Sequence, residues 1–386
     1  MNVIERTHSA FTRTRLPDRV PVHAWLGLSF IRTLEPREYT MLELFERWID
    51  DPVGTLVRYQ EDLGLDPLIT TYSKHIGEIE VWPRMLFNYD DEATAEWREE
   101  IRETERTAVS RTVEHRIKTP SGSGSYTHRT EGYNNWLLEH LIKREEDLAL
   151  LQHRPDPDAL GLERFKSMIA KVGDRAWWLH HAPGPWDEAV ELRGFANLAT
   201  DVRERPAFVH RLMRLVTDRL VKLYRKLGET DIQAISMNET WVGVGVSPEV
   251  YREFIYPYDQ ECTAAAHDAG FLVSYHNCGT GAAILEEMVE TGADALETIS
   301  VEGSVGDFDL ADVKKRVGHR VCLFGGFNER VLLSEDPQQV RDEVKRCIDA
   351  AAAGGGYILR PGGQIFHADP RNIEIMCQTV HEYGRY

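Results

Sequence analysis

The run Tyr275-His276-Asn277-Cys278-Gly279 sets an imidazole and a thiol two residues apart. On an extended backbone residues i and i+2 share a face, so this pair can aim one nitrogen and one sulfur at a single ion. Imidazole with thiolate is a typical zinc donor pair. Glu297 and the neighbours Asn238-Glu239 end other apolar runs, and each can add an oxygen ligand or act as a base. His180-His181 closes a further run. Adjacent strand residues point to opposite faces, so only one of the two can face a site, and His181 is the candidate acid or ligand. Arg360 suits a carboxylate or phosphate, with a structural salt bridge as the alternative. Asn328 suits a substrate contact or a loop cap, and Trp25 suits an apolar pocket wall. Ordinary packing of His276 and Cys278 is the other reading their spacing leaves open. Cys262, Cys322, Cys347 and Cys377 read as packed thiols.

These residues need strands to hold them. Val20–Leu26, Pro67–Thr71, Trp177–His181, Ile232–Met237, Phe271–Tyr275, Ala295–Ser300, Val321–Phe324 and Tyr357–Leu359 are short apolar runs. Helical patterns separate them, at about 40–62 and 206–227 and after each of the later runs. Ser247-Pro248, Asp336-Pro337 and Asp369-Pro370 open three of these helices, with Ser or Asp at the cap and Pro at the first turn. Alternating strand and helix means parallel strands with crossovers. Eight such units predict a single (β/α)8 barrel over 1–386, with active-site residues at the C-terminal ends of the strands. The stretch 76–135 breaks the rhythm: Val109–Lys118 alternates and Ser121–Ser125 reads as a turn, so a hairpin-rich insertion is expected there. No G-x-G-x-x-G follows a strand, against a dinucleotide fold.

The chain has 386 residues, with 45 Lys+Arg against 63 Asp+Glu and a formal net charge of −18. That balance argues against nucleic acid and anionic membrane surfaces as partners, since both need a basic face. No run approaches the 18 or so apolar residues of a membrane span, and the first 20 residues hold no secretory h-region. Five Cys without a C-x-x-C fit a reducing cytoplasm. A homodimer is the expected assembly for an enzyme of this size.

Several blocks also resemble the uroporphyrinogen decarboxylase/cobalamin methyltransferase superfamily. They are DRVPV at 18–22, WLLEHLIKREEDL at 136–148, GPWDEAVELRGF at 184–195, RPAFVHRLM at 205–213, VSPEVYREFIYPY at 246–258, YHNCG at 275–279 and GGYILRPGGQIFHADPRNI at 355–373. The resemblance implies one (β/α)8 barrel. The decarboxylase branch carries an R-Q-A-G-R segment after its first strand, whereas this chain has Ala24-Trp25-Leu26-Gly27-Leu28-Ser29-Phe30 and no arginine until Arg32. The methyltransferase branch holds zinc with H-x-C and a later Cys, and His276 and Cys278 match the first part. Gly363 stands where that later Cys belongs. The resemblance therefore implies a zinc-dependent methyltransferase with His276, Cys278 and Glu297 as ligands, completed by His367 or Glu239. A methylcobamide would arrive on a separate corrinoid protein, and the acceptor would be a thiol, a folate or a similar small molecule. Glu239, Asn238 and His181 would serve the chemistry, and Trp25, Asn328, Arg360 and His367 the substrate. A metal-free decarboxylase-like lyase and a non-catalytic barrel subunit are the rivals.

Overall fold

The computed structural model describes residues 1–72, 89–131, 134–243 and 245–386; residues 76–88 and 132–133 of the expected insertion lie outside them. Among the described residues eleven strands follow in chain order: β1 (Leu68–Tyr72), β2 (Arg98–Arg106), β3 (Ser110–Thr119), β4 (Gly122–Glu131), β5 (Asn134–Glu139), β6 (Trp177–Pro183), β7 (Ala234–Asn238), β8 (Leu272–His276), β9 (Ala295–Ile299), β10 (Cys322–Phe327) and β11 (Tyr357–Pro361). β1 and β6 to β11 form one seven-stranded sheet in that order, and every pair in it is parallel. The expected run Val20–Leu26 is not a ladder strand. Pro21 has no N–H to donate, and the segment makes isolated bridges at Val22–Leu359 and Leu26–Ile365. It nevertheless lies beside both sheet edges. Leu359 N donates to Pro21 O at 2.9 Å, His23 N to Leu359 O at 3.0 Å, and Asp66 N, just before β1, to Val22 O at 2.8 Å. The sheet is thereby curled until its first and last strands share one connecting segment.

The helices lie where capping residues start them. Ser247 Oγ accepts from Val250 N at 3.3 Å, Asp336 Oδ1 from Gln338 N at 2.9 Å, and Asp369 Oδ1 from Arg371 N at 2.9 Å. The helix expected from Ser247 to Gly270 is interrupted at Tyr251–Ile255, where the turn widens before Tyr256–Asp268. Pro257 lies two residues beyond and cannot donate back to the preceding turn. The helix Pro206–Leu227 buries Val209, Leu212, Met213, Val216, Leu220, Leu223 and Leu227, as its spacing predicts. A helix the sequence did not announce, Val3–Thr12, opens with a capping box between Asn2 and Glu5.

Inside the curl, the strand beginnings make a small separate core. Leu68, Trp177, Ala234, Ala295, Cys322 and Phe324 meet Ala10 and Phe11 of the first helix. Phe11 stacks on Trp177 with ring centroids 5.6 Å apart and meets Phe324 edge-on at 6.3 Å. Large apolar side chains thus close the N-terminal end of the sheet and leave polar groups to the other end.

The second sheet is an antiparallel meander of β2, β3, β4 and β5. The expected turn at Ser121–Ser125 is shorter: Thr119 pairs with Gly122 and Ile117 with Gly124, so the turn is Pro120-Ser121 and Gly122–Ser125 belong to β4. Val113, His115 and Ile117 form the buried face of β3. No helix among the described residues is long and apolar enough to cross a membrane.

Candidate active site

Strand alternation assembles the site at the C-terminal ends of β6 to β11. On β7, Ser236 and Asn238 face inward together; on β8, Ser274 and His276 do the same. His181 on β6 reaches across so that its Nδ1 lies 3.0 Å from Asn238 Oδ1. The ring of His181 stacks on Tyr72 at 4.9 Å and on Trp25 at 5.4 Å, and meets His276 edge-on at 5.4 Å. His180 turns the other way, with Nδ1 2.8 Å from Thr71 Oγ1, so His181 is the histidine that faces the site.

Glu297 on β9 is fully buried. Its Oε2 accepts from Ser236 Oγ at 3.1 Å and Ser274 Oγ at 3.0 Å, while its Oε1 pairs with Arg360 Nη1. Arg360 is 0 % exposed, and burial lowers its pKa to about 10, so it remains a cation at neutral pH. β9 and β10 approach closely here. Gly325 has φ +138°, and a Cβ on it would stand 2.5 Å from Ile299 N, so a side chain would push β10 away from the strand that carries Glu297.

His276 Nδ1 lies 3.5 Å from Glu297 Oε1 and is buried without a hydrogen-bond partner. Cys278 follows at the start of the next loop, with Sγ 3.7 Å from Thr240 Oγ1. Burial alone would raise its thiol pKa. The hydrogen bond and charge of His276, with help from Thr240, outweigh that and bring it down to about 7, well below an ordinary thiol.

The three expected metal ligands therefore share one end of the sheet but do not converge. Among the described residues no three His, Cys, Asp or Glu side chains stand together as a metal-binding group. The reason is Arg360: its guanidinium and two serine hydroxyls occupy the Glu297 carboxylate, leaving the His276–Cys278 pair as two donors without a third. A Cβ at Gly363 meets no heavy atom within 4 Å, so the position of the missing cysteine is open space.

Glu239 was expected beside Asn238, and the structure separates them. It is fully buried on the outer side of β7, where Oε1 accepts from Trp186 N at 2.9 Å and Oε2 from Asp187 N at 3.0 Å. It caps the helix Pro185–Arg193 and hydrogen-bonds Asp259 as well, so both of its oxygens are engaged away from the group around His276. Burial, with Asp259 and Asp187 as negative neighbours, pushes Glu239 well above the carboxylate range. Burial also brings Asp259 and Asp187 up to about 7. Asp187 answers by accepting from Trp241 N at 2.9 Å, so two loops are clasped by each other's carboxyl groups. Asn328 is a loop cap that accepts from Arg330 N at 3.1 Å, and His367 is exposed on the segment after β11. Neither joins the group around His276. Trp25 does, as do Tyr72 and the serines 236 and 274, which the sequence reading did not single out. Their signal was position: each serine stands two residues before a candidate on the same strand face.

A curled parallel sheet, closed by apolar residues at one end and gathering histidine, thiol, carboxylate and guanidinium at the other, is the construction of α/β barrel enzymes. Sequence comparison narrows that class. The family model described as "Uroporphyrinogen decarboxylase (URO-D)" matches residues 134–383, and the chain belongs to that family. Uroporphyrinogen decarboxylase of Neisseria gonorrhoeae is 26% identical over 276 residues, covering 68% of this chain and 75% of that protein. The enzyme of the same name from Shewanella frigidimarina is 30% identical over 247 residues, covering 60% and 67%. Among solved structures, a methyltransferase from Methanosarcina mazei superposes with a TM-score of 0.68 at 17% identity, covering 99% of each chain. At that identity the likeness is one of fold.

Proposed function

We propose that this protein is a methyltransferase of the URO-D superfamily, moving a methyl group between a corrinoid carried on a separate protein and a small acceptor such as a thiol or folate. The observation that carries this reading is the His276–Cys278 pair: a nitrogen without a partner beside a thiol that is half ionised near pH 7. The Methanosarcina mazei methyltransferase shares the fold over its full length. In this reading the segment 20–27 is the eighth stave of a (β/α)8 barrel spanning 1–386, with the antiparallel meander as its insertion, in a cytoplasmic and dimeric enzyme.

Zinc is part of the proposal through His276 and Cys278, with Glu297 as third donor once it leaves Arg360. Bound there, zinc would hold an acceptor thiol as its thiolate. As they stand the residues are not a three-donor site, so the remaining assignments concern the chain itself. His181, oriented by Asn238, presents a polar ring to the site. Trp25 and Tyr72 supply a flat apolar wall that keeps water from the reacting group.

The test is zinc content per chain with zinc supplied, in wild type and Cys278→Ser, alongside methyl transfer from methylcobalamin to candidate thiols. About one zinc per chain that the substitution removes, together with methylated thiol, supports the reading. No zinc and no transfer in the wild type would end it. A second reading, a metal-free carboxy-lyase, is favoured by the buried Arg360 cation and by the decarboxylases among the relatives. It predicts release of carbon dioxide from a small carboxylated substrate, unaffected by Cys278→Ser.

A further inference from the structure

Arg360 keeps one hydrogen-bonding edge unused. Of its five N–H bonds, the structure employs one nitrogen, Nη1, on Glu297. Nε and Nη2 are buried and, among the described residues, have no hydrogen-bond partner. These two nitrogens form a single side of the guanidinium, with their N–H bonds parallel, the side that grips both oxygens of a carboxylate. Cζ also lies 5.9 Å from the Trp25 ring centre and 5.2 Å from that of Phe324, so aromatic rings flank the cation. The unpaired edge is where a planar anion can meet it in two parallel hydrogen bonds.

Buried charged N–H groups left unpaired are costly, and proteins rarely keep them. A merely structural Arg360 would turn this edge to a carbonyl or a serine hydroxyl, as Glu297 does with Ser236 and Ser274. Instead the edge stays unpaired among the described residues, on a cation that has Tyr72 and Cys278 as electrostatic neighbours and lies 5.9 Å from the Trp25 ring centre. We propose that this edge binds a carboxylate of the substrate in a two-point hydrogen-bonded pair. The inference rests on the C-terminal end of the sheet being the substrate site, as the proposed function has it.

Charge selects the class of anion. Glu297 already cancels the Arg360 charge, so a doubly charged phosphate would meet a neutral pair, whereas a singly charged carboxylate needs only the two N–H donors. The rings of Trp25, Tyr72 and His181, stacked within 5.4 Å of one another, suit a small flat molecule. This is one buried fork for a single carboxylate, unlike the arginine-rich clamp for many carboxylates that the 24–30 segment lacks.

The experiment titrates the full chain with benzoate, its neutral analogue benzamide, and inorganic phosphate, reading tryptophan fluorescence and the thermal midpoint. Saturable benzoate binding is expected, weaker by about tenfold or more for benzamide and for phosphate, because neither matches the charge and fork together. Arg360→Lys keeps the charge for Glu297 and loses the fork, and benzoate affinity should fall by about tenfold or more. If that variant does not fold, Arg360→Met with Glu297→Met removes the pair together and should abolish the preference for benzoate over benzamide. Absence of saturable benzoate binding, equal affinity for benzamide or phosphate, or unchanged affinity in the variants would overturn the proposal. Binding is read without turnover, so failure of methyl transfer leaves this result standing, and failure here leaves the methyl-transfer assay standing.

Discussion

Two glutamates near the ends of β9 and β7, Glu297 and Glu239, are both fully buried, yet opposite means hold them. Glu297 faces the inside of the curled sheet and is held by a cation and two hydroxyls. Glu239 faces the helix layer, caps a helix with backbone N–H groups and shares its surroundings with Asp259 and Asp187. The first arrangement stores a charge ready for a ligand. The second stores protons, because Glu239 and Asp259 are buried with the half-buried Asp187 beside them, and three carboxyl groups that close together cannot all ionise. The proposed chemistry therefore belongs to the inner side, and the outer cluster holds the loops that frame it.

The contrast is easiest to break at the inner pair. Arg360→Ala leaves a buried, unpaired Glu297 and should cost about 3–5 kcal/mol in chemical denaturation, whereas Arg360→Met with Glu297→Met should lie close to wild type. Comparable losses in both would mean that the pair itself, and not the stranded charge, carries the stability.

The next effect comes from buried histidines, which set the acid limit. Burial lowers His180 to about 3 and His23 to about 4. Folding binds fewer protons than unfolding below the ordinary histidine pKa of 6.5, so stability present above that value is lost as pH falls towards 4. His23 alone contributes up to about 3 kcal/mol of this loss. Denaturation midpoints between pH 4 and 7 in wild type and His23→Asn measure it as a difference, separate from any other titrating group, and equal slopes in the two would contradict it.

The outer cluster has the opposite sign. Asp187 and Asp259 rise from 3.8 to about 7, so the folded state binds more protons and stability falls as pH climbs through that window. The expected slope is roughly 1 kcal/mol per pH unit, and Glu239→Gln should flatten it. A variant that keeps the full slope would show that Glu239 does not share protons with its neighbours.

Gly363→Cys tests the inner side by addition. Its Cβ enters open space, so stability should change by less than about 0.5 kcal/mol, while zinc retention against a chelator should rise if the new thiolate joins His276 and Cys278. The smallest effect belongs to Thr240→Val. Loss of the hydroxyl 3.7 Å from Cys278 should raise the thiol pKa by less than about one unit, read from the pH dependence of alkylation.

The strands β6 to β11 were legible because their apolar runs are bounded by Gly, Pro and polar residues, and the structure moves their ends by at most three residues. His276, His181 and Trp25 were legible because strand ends point into one place. The pairing of Arg360 with Glu297 was not, since 63 residues separate them and nothing local marks either as the other's partner. Asn238-Glu239 invited a single role although alternation sends neighbours to opposite faces, the same rule that correctly separated His180 from His181. The segment Val20–Leu26 looked like a strand because its composition is apolar, but Pro21 removes the donor a regular ladder needs.

The helix Val3–Thr12 has a consequence for the order in which the fold closes. Its Phe11 packs on Trp177 and Phe324, which stand far along the chain. Contacts of such sequence separation are slow to form, so the helix docks only after the strands that carry both rings have come together. Phe11→Ala would leave an apolar opening at the base of the sheet.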